Sequence, residues 1–338
     1  MKFSVLKESI LAQFQAPNGN RVVPFITGKP GGGKSACARE IAAELVRLHN
    51  IPAERVVEFN PSLREPTDIL GLPRMDGECA RWLPPEEFYA LRKGVGPCVL
   101  IVEELSDATM DMQNPLCRVL LDRYAGNMPL SDELYIIATG NRTEDRSGAS
   151  RLSTKLANRC RILGYEEDLD DWVAWARTHD VPPELVAFIR FRPALLSDFD
   201  ANRSKNPTPR SWEDVARVPM GLSPDAYFEH CAGSVGEGAA TEWVGFLRLF
   251  QELPDFDAIL RKPDTATVPT KPDVLYATSA KIVTVTTKAN IDKLWKFVKR
   301  MPADFVVLTA RDWLARYPFA GSGKWFSQFA SEYSGLMV

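Results

Sequence analysis

A glycine-rich segment near the N-terminus has the residue types and spacing of a phosphate-binding loop. Residues 28–35 read GKPGGGKS and match the pattern G-x-x-x-x-G-K-[ST] at every fixed position. Glycines permit positive φ angles that turn backbone N–H groups onto an anion, and the helix predicted to begin near Lys34 adds its positive dipole end. Lys34 can reach the β- and γ-phosphates of a nucleotide, and the Ser35 hydroxyl suits Mg²⁺. The residues predicted to contact the nucleotide are Gly28, Lys29, Pro30, Gly31, Gly32, Gly33, Lys34, Ser35 and Ala36.

Two adjacent carboxylates, Glu103 and Glu104, follow the apolar residues 99–102. In P-loop ATPases a strand of this kind lies beside the P-loop strand, so one carboxylate supports Mg²⁺, usually through water, and the next polarises the attacking water. The first carboxylate is usually Asp, and Glu103 is one methylene longer, although Mg²⁺ keeps several waters and tolerates outer-shell ligands. We therefore predict Ser35 and Glu103 at the metal and Glu104 as the base.

Three polar residues further along the chain could complete such a site. Asn141 follows the apolar residues 134–138 and can hold the attacking water or the γ-phosphate, because an amide both donates and accepts hydrogen bonds. Arg159 ends the basic segment 153–159, and Arg210 lies at the predicted start of a helix. An arginine at a helix end more often forms a surface ion pair, so the prediction depends on the ordered series rather than on any single residue.

The elements that must position these residues alternate between strand and helix. Helical patterns, among them 34–49 and 112–124, lie between most of the apolar segments. The segments predicted as strands are 22–26, 55–59, 99–102, 134–138 and 160–163. Such alternation is typical of α/β proteins, so we expect a P-loop NTPase-type, mostly parallel sheet sandwiched by helices.

After residue 165 strand patterns become scarce and helical patterns dominate. We expect an α/β nucleotide-binding domain over 1–165 and an α-helical lid subdomain over 166–253. Several prolines in 254–274 predict an extended connection, and the remaining residues, 275–338, are predicted to form a C-terminal helical region.

Composition and charge narrow the class of protein further. The chain of 338 residues has 41 Lys and Arg against 44 Asp and Glu, a formal net charge of −3. This balance does not favour a protein that coats nucleic acid, although a local basic patch stays compatible with it. No two of the six cysteines have CxxC spacing, which argues against a zinc or redox motif. No apolar run suits a membrane span and residues 1–10 do not resemble a signal peptide, so we expect a cytoplasmic protein.

Taken together, the motifs resemble those of the AAA+ ATPases and, within them, the MoxR-like branch. Residues 67–82, with Asp76-Gly77 as a turn, resemble the additional hairpin of this branch, and residues 105–116 resemble the helix after Walker B. The segments similar to Walker A, Walker B, sensor 1, the arginine finger and sensor 2 are, in that order, GKPGGGKS (28–35), VLIVEEL (99–105), YIIATGN (135–141), STKLANRC (153–160) and PTPRSWEDV (207–215). Residues 218–338 match no motif of the family.

The resemblance implies an Mg²⁺-dependent ATPase that works as a ring, usually a hexamer, with ATP at the subunit boundaries. Arg159 would reach the γ-phosphate of the neighbouring subunit, with Arg151 as the alternative finger, because such an arginine stabilises the charge that develops during transfer. Arg210 would contact the nucleotide phosphates from the lid, in its own subunit or in the next. The resemblance also implies a remodelled or activated protein client, including a partner with a von Willebrand factor A domain.

Two other functions remain open at the level of the sequence. A DNA-directed AAA+ motor or loader would need a basic stripe along its pore, and the predicted hairpin contains only Arg74 and Arg81. A nucleotide-gated scaffold without catalysis is supported only by Glu103 in place of Asp, and it is opposed by Glu104 and Asn141.

Overall fold

A computed structural model describes residues 1–142, 152–249, 253 and 256–333 of the chain. The chain forms two compact units, Met1–Asp168 and Leu169–Val338.

The first unit is built on a parallel sheet. Its strands are β1 (Val23–Gly28), β2 (Val56–Phe59), β3 (Leu72–Asp76), β4 (Cys79–Leu83), β5 (Cys98–Val102), β6 (Tyr124–Ala125), β7 (Met128–Pro129), β8 (Leu134–Asn141) and β9 (Cys160–Gly164). Five of them form the sheet in the order β2-β5-β8-β1-β9, in which all paired strands are parallel. Two short antiparallel pairs, β3-β4 and β6-β7, accompany it. The five predicted strands and the parallel α/β fold class are confirmed.

Helices cover both faces of this sheet. Alternate residues of β5 belong to different cores, since Leu100 packs in the core that includes Met112, whereas Ile101 packs in the core that includes Ile10 and Ile41. A strand that is buried on both faces must be apolar throughout, which explains the continuous apolar runs in the sequence. The helices of this unit are α1 (Phe3–Gln15), α2 (Lys34–His49), α3 (Thr67–Leu70), α4 (Glu86–Tyr89), α5 (Met110–Cys117) and α6 (Thr154–Ala157).

The strand order corrects one expectation from the sequence. The strand that leads to Glu103 and Glu104 is not the neighbour of the P-loop strand, because β8 lies between β5 and β1. Nearly all of β8 is buried, from Leu134 through Gly140, and this apolar length suits a central position in the sheet. The carboxyl ends of four adjacent strands therefore meet at one edge.

The helix predicted over 112–124 is also different in the structure. Thr109 caps α5 by accepting a hydrogen bond from the N–H of Met112, so the helix begins earlier. A π-helical turn, Arg118–Asp122, continues α5 and ends at Arg123, whose φ of 61° is incompatible with a right-handed helix.

The second unit is helical, and its described residues contain no strand. Side chains of helix α13 (Pro272–Val285) pack in two hydrophobic cores. Ala277 and Ala280 pack in the core that includes Trp212, whereas Ile282 packs in the core that includes Trp313. The expected lid and C-terminal region are therefore joined through this helix. The helices are α7 (Leu169–Thr178), α8 (Pro183–Phe191), α9 (Pro209–Ala216), α10 (Pro224–Val235), α11 (Glu237–Leu249), α12 (Phe256–Arg261), α13 (Pro272–Val285), α14 (Ile291–Val298), α15 (Ala303–Arg316) and α16 (Lys324–Tyr333).

The sequence predicted an extended connection over the proline-rich residues 254–274. The structure differs, because part of this stretch is helical. Helix α12 forms between Pro254 and Pro263, where no proline interrupts the backbone, and it buries Ile259. Across the described parts of both units, no helix combines the length and the apolar character needed to cross a membrane.

Candidate nucleotide site

The glycine-rich loop connects β1 to α2 in a conformation that requires glycine. Gly31 has φ 72° and Gly33 has φ 100°, both in the region that residues with a Cβ rarely adopt. At Gly28 the constraint is a close approach instead, since a Cβ there would lie 2.9 Å from the carbonyl oxygen of Tyr165. The loop thus leads directly into the first turn of α2, where the backbone N–H groups and the helix dipole favour an anion.

Lys34 and Asn141, which are far apart in the sequence, are in direct contact. The nearly buried Lys34 Nζ donates to Asn141 Oδ1 at 2.9 Å, to the carbonyl oxygen of Gly28 at 2.9 Å and to that of Lys29 at 2.7 Å. The contact follows from the parallel pairing of β1 with β8, which places Gly28 opposite Asn141. Two residues predicted for the site are therefore brought together by the sheet.

The position of Asn141 is fixed from below by Ser106. The backbone N–H of Asn141 donates to Ser106 Oγ at 2.9 Å, and Ser106 itself is buried. A Cβ at Gly140 would come within 2.8 Å of both Phe25 and Ser106 Oγ, so the approach of these elements requires glycine. Ser106 was not among the residues predicted for the site, although its place shortly after two carboxylates at a strand end was a usable signal.

The exposed carboxylate of Glu104 lies at the same edge and is held by residues that follow β2. Glu104 Oε2 accepts hydrogen bonds from Asn60 Nδ2 at 3.1 Å and from Ser62 Oγ at 3.2 Å. Its backbone has φ 51°, and its N–H donates to Thr139 Oγ1 at 3.4 Å. Asn60 and Ser62 were not predicted, yet polar residues directly after an apolar strand are the same signal that identified Asn141.

Glu103 forms an ion pair that the sequence did not suggest. Arg39 Nη2 donates to Glu103 Oε1 at 2.7 Å, and the same guanidinium makes three hydrogen bonds to Glu58 of 3.0–3.1 Å. The hydrogen bonds to Glu58, with the charge of Glu103, raise the pKa of Arg39. Ser35 lies in the first turn of α2. A hydroxyl and a carboxylate are the hard oxygen donors that Mg²⁺ prefers, so this pair fits the predicted metal.

Another carboxylate, that of Glu167, packs directly on the loop. A Cβ at residue 32 would overlap Glu167 Oε1, so glycine is required at this position for Glu167 to lie there. This oxygen is buried and has no hydrogen-bond partner among the described residues. Neither motif nor spacing identified Glu167, because it reaches the loop only through the fold.

Of the three predicted arginines, one follows α6, one lies outside the described residues, and one belongs to the second unit. Arg159 is exposed just after α6 and forms no ion pair within the described part of the chain. Ser153, which caps α6, donates its N–H to the buried Gln113 of α5 at 2.8 Å. Arg151, the alternative finger, lies outside the described residues. Arg210 is exposed in the first turn of α9 in the second unit, so its role toward a nucleotide in the first unit stays a prediction.

The parallel sheet and the loop between β1 and α2, with Lys34 at its end, decide the fold class. The first unit has a P-loop NTPase fold. This topology, together with the polar residues at the carboxyl edge of four adjacent strands, is the basis for the candidate nucleotide site.

Comparison with known proteins adds no narrower classification. No protein-family model matches the sequence, and no curated protein matches it. Similar solved structures include NtrX from Brucella abortus in complex with ATP, with 16% identity, a TM-score of 0.40, and coverage of 99% of this chain and 68% of that chain. A DNA polymerase III gamma subunit-related protein from Thermotoga maritima has 10% identity, a TM-score of 0.33, and coverage of 92% and 82%. A mutant of RuvB from the same organism has 12% identity, a TM-score of 0.35, and coverage of 87% and 75%. TM-scores this low carry no functional argument.

Proposed function

We propose that this protein is an AAA+ ATPase that binds and hydrolyses Mg²⁺-ATP at the loop between β1 and α2. The observation that carries the proposal is the contact of Lys34 with Asn141 at the edge of the sheet where the strand that leads to Glu103 and Glu104 also ends. A structural cluster of polar residues would not require a glycine cradle beside it, whereas a triphosphate site does.

Each residue has a role in this chemistry that follows from its position. Lys34 exchanges its two carbonyl contacts for phosphate oxygens, because a charge-assisted hydrogen bond to an anion is the stronger one. Asn141, already beside Lys34, orients the attacking water, and Glu104 accepts its proton. When bound, Mg²⁺ held by Ser35 and, directly or through water, by Glu103 neutralises negative charge on the phosphates.

We further propose that hydrolysis depends on assembly into a ring, of which a hexamer is the expected form. Arg159 is exposed and without an ion pair among the described residues, so its guanidinium is available to a neighbouring subunit. An arginine supplied in trans accelerates phosphoryl transfer by about 10³–10⁵-fold where it has been measured. Arg210, which belongs to the second unit, would add a positive charge beside the nucleotide phosphates.

The proposed task of the ring is to remodel or activate a protein client, as in the MoxR-like branch. The hairpin β3-β4 supports a protein client, since Leu72, Met75, Trp82 and Leu83 are exposed there. Its basic residues are few for a DNA-binding surface, since only Arg74 and Arg81 lie on the two strands. A DNA-directed motor would instead show ATPase activity that rises on addition of DNA.

The decisive experiment measures ATP hydrolysis and particle shape on the same sample. Purified protein with a slowly hydrolysed ATP analogue is imaged by electron microscopy, and phosphate release is followed with and without Mg²⁺. Rings together with Mg²⁺-dependent turnover would support the proposal. Nucleotide binding without turnover, in rings, would favour the nucleotide-gated scaffold, whereas full turnover by monomers at high concentration would contradict assembly-dependent hydrolysis.

A further inference from the structure

One arginine that the proposed reaction does not use lies beside the predicted metal position. Arg39 follows Ser35 by four residues on α2, and residues with this spacing lie on the same face of a helix. Its guanidinium donates to Glu103 Oε1 at 2.7 Å, so it engages the carboxylate that is predicted to support Mg²⁺. The guanidinium of Arg39, itself a cation, is therefore already paired with the carboxylate that the metal would use.

The geometry holds Arg39 in this place. Glu58 on β2 accepts three hydrogen bonds from the guanidinium, two of them from Nε, and the parallel pairing of β2 with β5 brings Glu58 and Glu103 to the same end of the sheet. The side chain of Glu103 is 18% exposed, whereas that of Arg39 is 51% exposed. Arg39 can therefore move toward solvent when another cation arrives, at modest cost, because half-exposed ion pairs are weak.

The carboxylate of Glu103 reaches a guanidinium that Glu58 also holds from the neighbouring strand β2. Two carboxylates and one guanidinium leave a net charge of −1 for a divalent cation or its waters.

We propose that Arg39 competes with Mg²⁺ for Glu103 and thereby raises the free Mg²⁺ concentration at which the nucleotide site fills. The inference rests on the proposed function, because it concerns the metal of that site. In the absence of Mg²⁺, Arg39 neutralises Glu103, and arrival of the metal with its nucleotide releases the guanidinium. The ion pair thus shifts the Mg²⁺ dependence of nucleotide binding to higher concentrations.

The test measures metal-dependent nucleotide binding rather than turnover. The full-length protein is titrated with Mg²⁺ in the presence of a fluorescent, slowly hydrolysed ATP analogue, and the half-saturating Mg²⁺ concentration is recorded. For Arg39→Gln we expect this concentration to fall about threefold to tenfold, as removal of one nearby positive charge at a half-exposed site predicts. Arg39→Lys, which keeps the charge, should stay close to the wild-type value.

Two further variants make the result specific to Glu103. Arg47→Gln is the matched control, since Arg47 lies on the same helix and pairs with Glu44 instead, and it should leave the Mg²⁺ dependence unchanged. In a Glu103→Gln background, Arg39→Gln should have no additional effect, because the carboxylate for which the two cations compete is gone.

The outcomes separate this inference from the function on which it rests. An unchanged or higher half-saturating Mg²⁺ concentration in Arg39→Gln would overturn the competition. It would also be overturned if Arg39→Gln lowered this concentration by the same factor in the Glu103→Gln background. Absence of nucleotide binding in the wild-type protein at any Mg²⁺ concentration would instead overturn the proposed function.

Discussion

Lys34 Nζ, at the start of α2, donates a hydrogen bond of 2.9 Å to Oδ1 of Asn141, the last residue of β8. The contact links the phosphate loop to the residue that ends the central strand. A phosphate that draws Lys34 away from the carbonyl oxygens of Gly28 and Lys29 would therefore also alter the hydrogen bonding of Asn141.

Replacement of Lys34 tests the phosphate loop directly. Lys34→Ala should weaken ATP binding at least about tenfold, because the charge-assisted hydrogen bonds to the phosphates are lost. Isothermal titration calorimetry measures the effect. Lys93→Ala is a suitable control, since Lys93 is exposed and pairs only loosely with Asp132. Equal ATP affinity in Lys34→Ala and wild type would rule out this loop as the binding site.

Replacement of Glu104 separates binding from hydrolysis. Glu104→Gln should keep ATP affinity and reduce turnover by about 10²–10⁴-fold, because Gln retains the shape but cannot accept the proton. Binding is measured by calorimetry and turnover by phosphate release. Glu87→Gln, at an exposed carboxylate that pairs with Arg64, should change neither. Normal turnover in Glu104→Gln would assign the base to another residue.

Mixed assemblies test whether Arg159 acts across a subunit boundary. Subunits with Arg159→Ala keep their own base, and subunits with Glu104→Gln keep their arginine, so some boundaries in a mixture contain both groups. We expect ATPase activity above the sum of the two separate variants. As the control, either single variant is mixed with subunits that carry both substitutions. This mixture should show no recovery of ATPase activity. If intact mixed rings stay inactive as well, Arg159 is not a finger in trans.

Thiol reactivity reports on the fold of the first unit. Cys79 is exposed on the hairpin, whereas burial raises the pKa of Cys98 to about 11 and that of Cys160 to about 12. Because the thiolate is the reactive form, at pH 8 a limiting amount of a disulfide reagent should modify Cys79 first, and the thiols of Cys98 and Cys160 should react faster only as the pH rises toward their pKa values. Peptide mass spectrometry identifies the modified residue. In Cys79→Ser the rapid phase should disappear.

Stability of the second unit should depend on Trp212. This side chain is fully buried, and its Nε1 donates to the carbonyl oxygen of Leu195 at 2.6 Å. Trp212→Ala should lower the free energy of unfolding by about 3–5 kcal/mol, through lost burial and the cavity left behind. Denaturant unfolding measures the change. Trp82→Ala, at an exposed hairpin position, should change it by about 0.5 kcal/mol or less. Similar losses in both variants would contradict the packing described here.

The sequence by itself determined the local elements and the loop. Short apolar runs separated by helical patterns predicted the strands of a parallel sheet, and the bounds of α2 agree with the pattern of its sequence because Gly33 and Asn50, both at positive φ, flank it. The sequence also predicted Lys34, Ser35, Glu104 and Asn141 as site residues, and their chemical roles stay predictions. The positions of β5 and β8 in the sheet could not be predicted from the sequence.

Only the tertiary structure decided which side chains meet. The insertion of β8 between β1 and β5 brings Asn141 to Lys34, and the pairing of β2 with β5 brings Asn60 to Glu104. Arg39 meets Glu103, and Glu167 meets the loop, over separations in sequence that no local pattern encodes. Such contacts follow from the packing of whole elements, whose free energy is spread over many apolar side chains rather than concentrated in a motif.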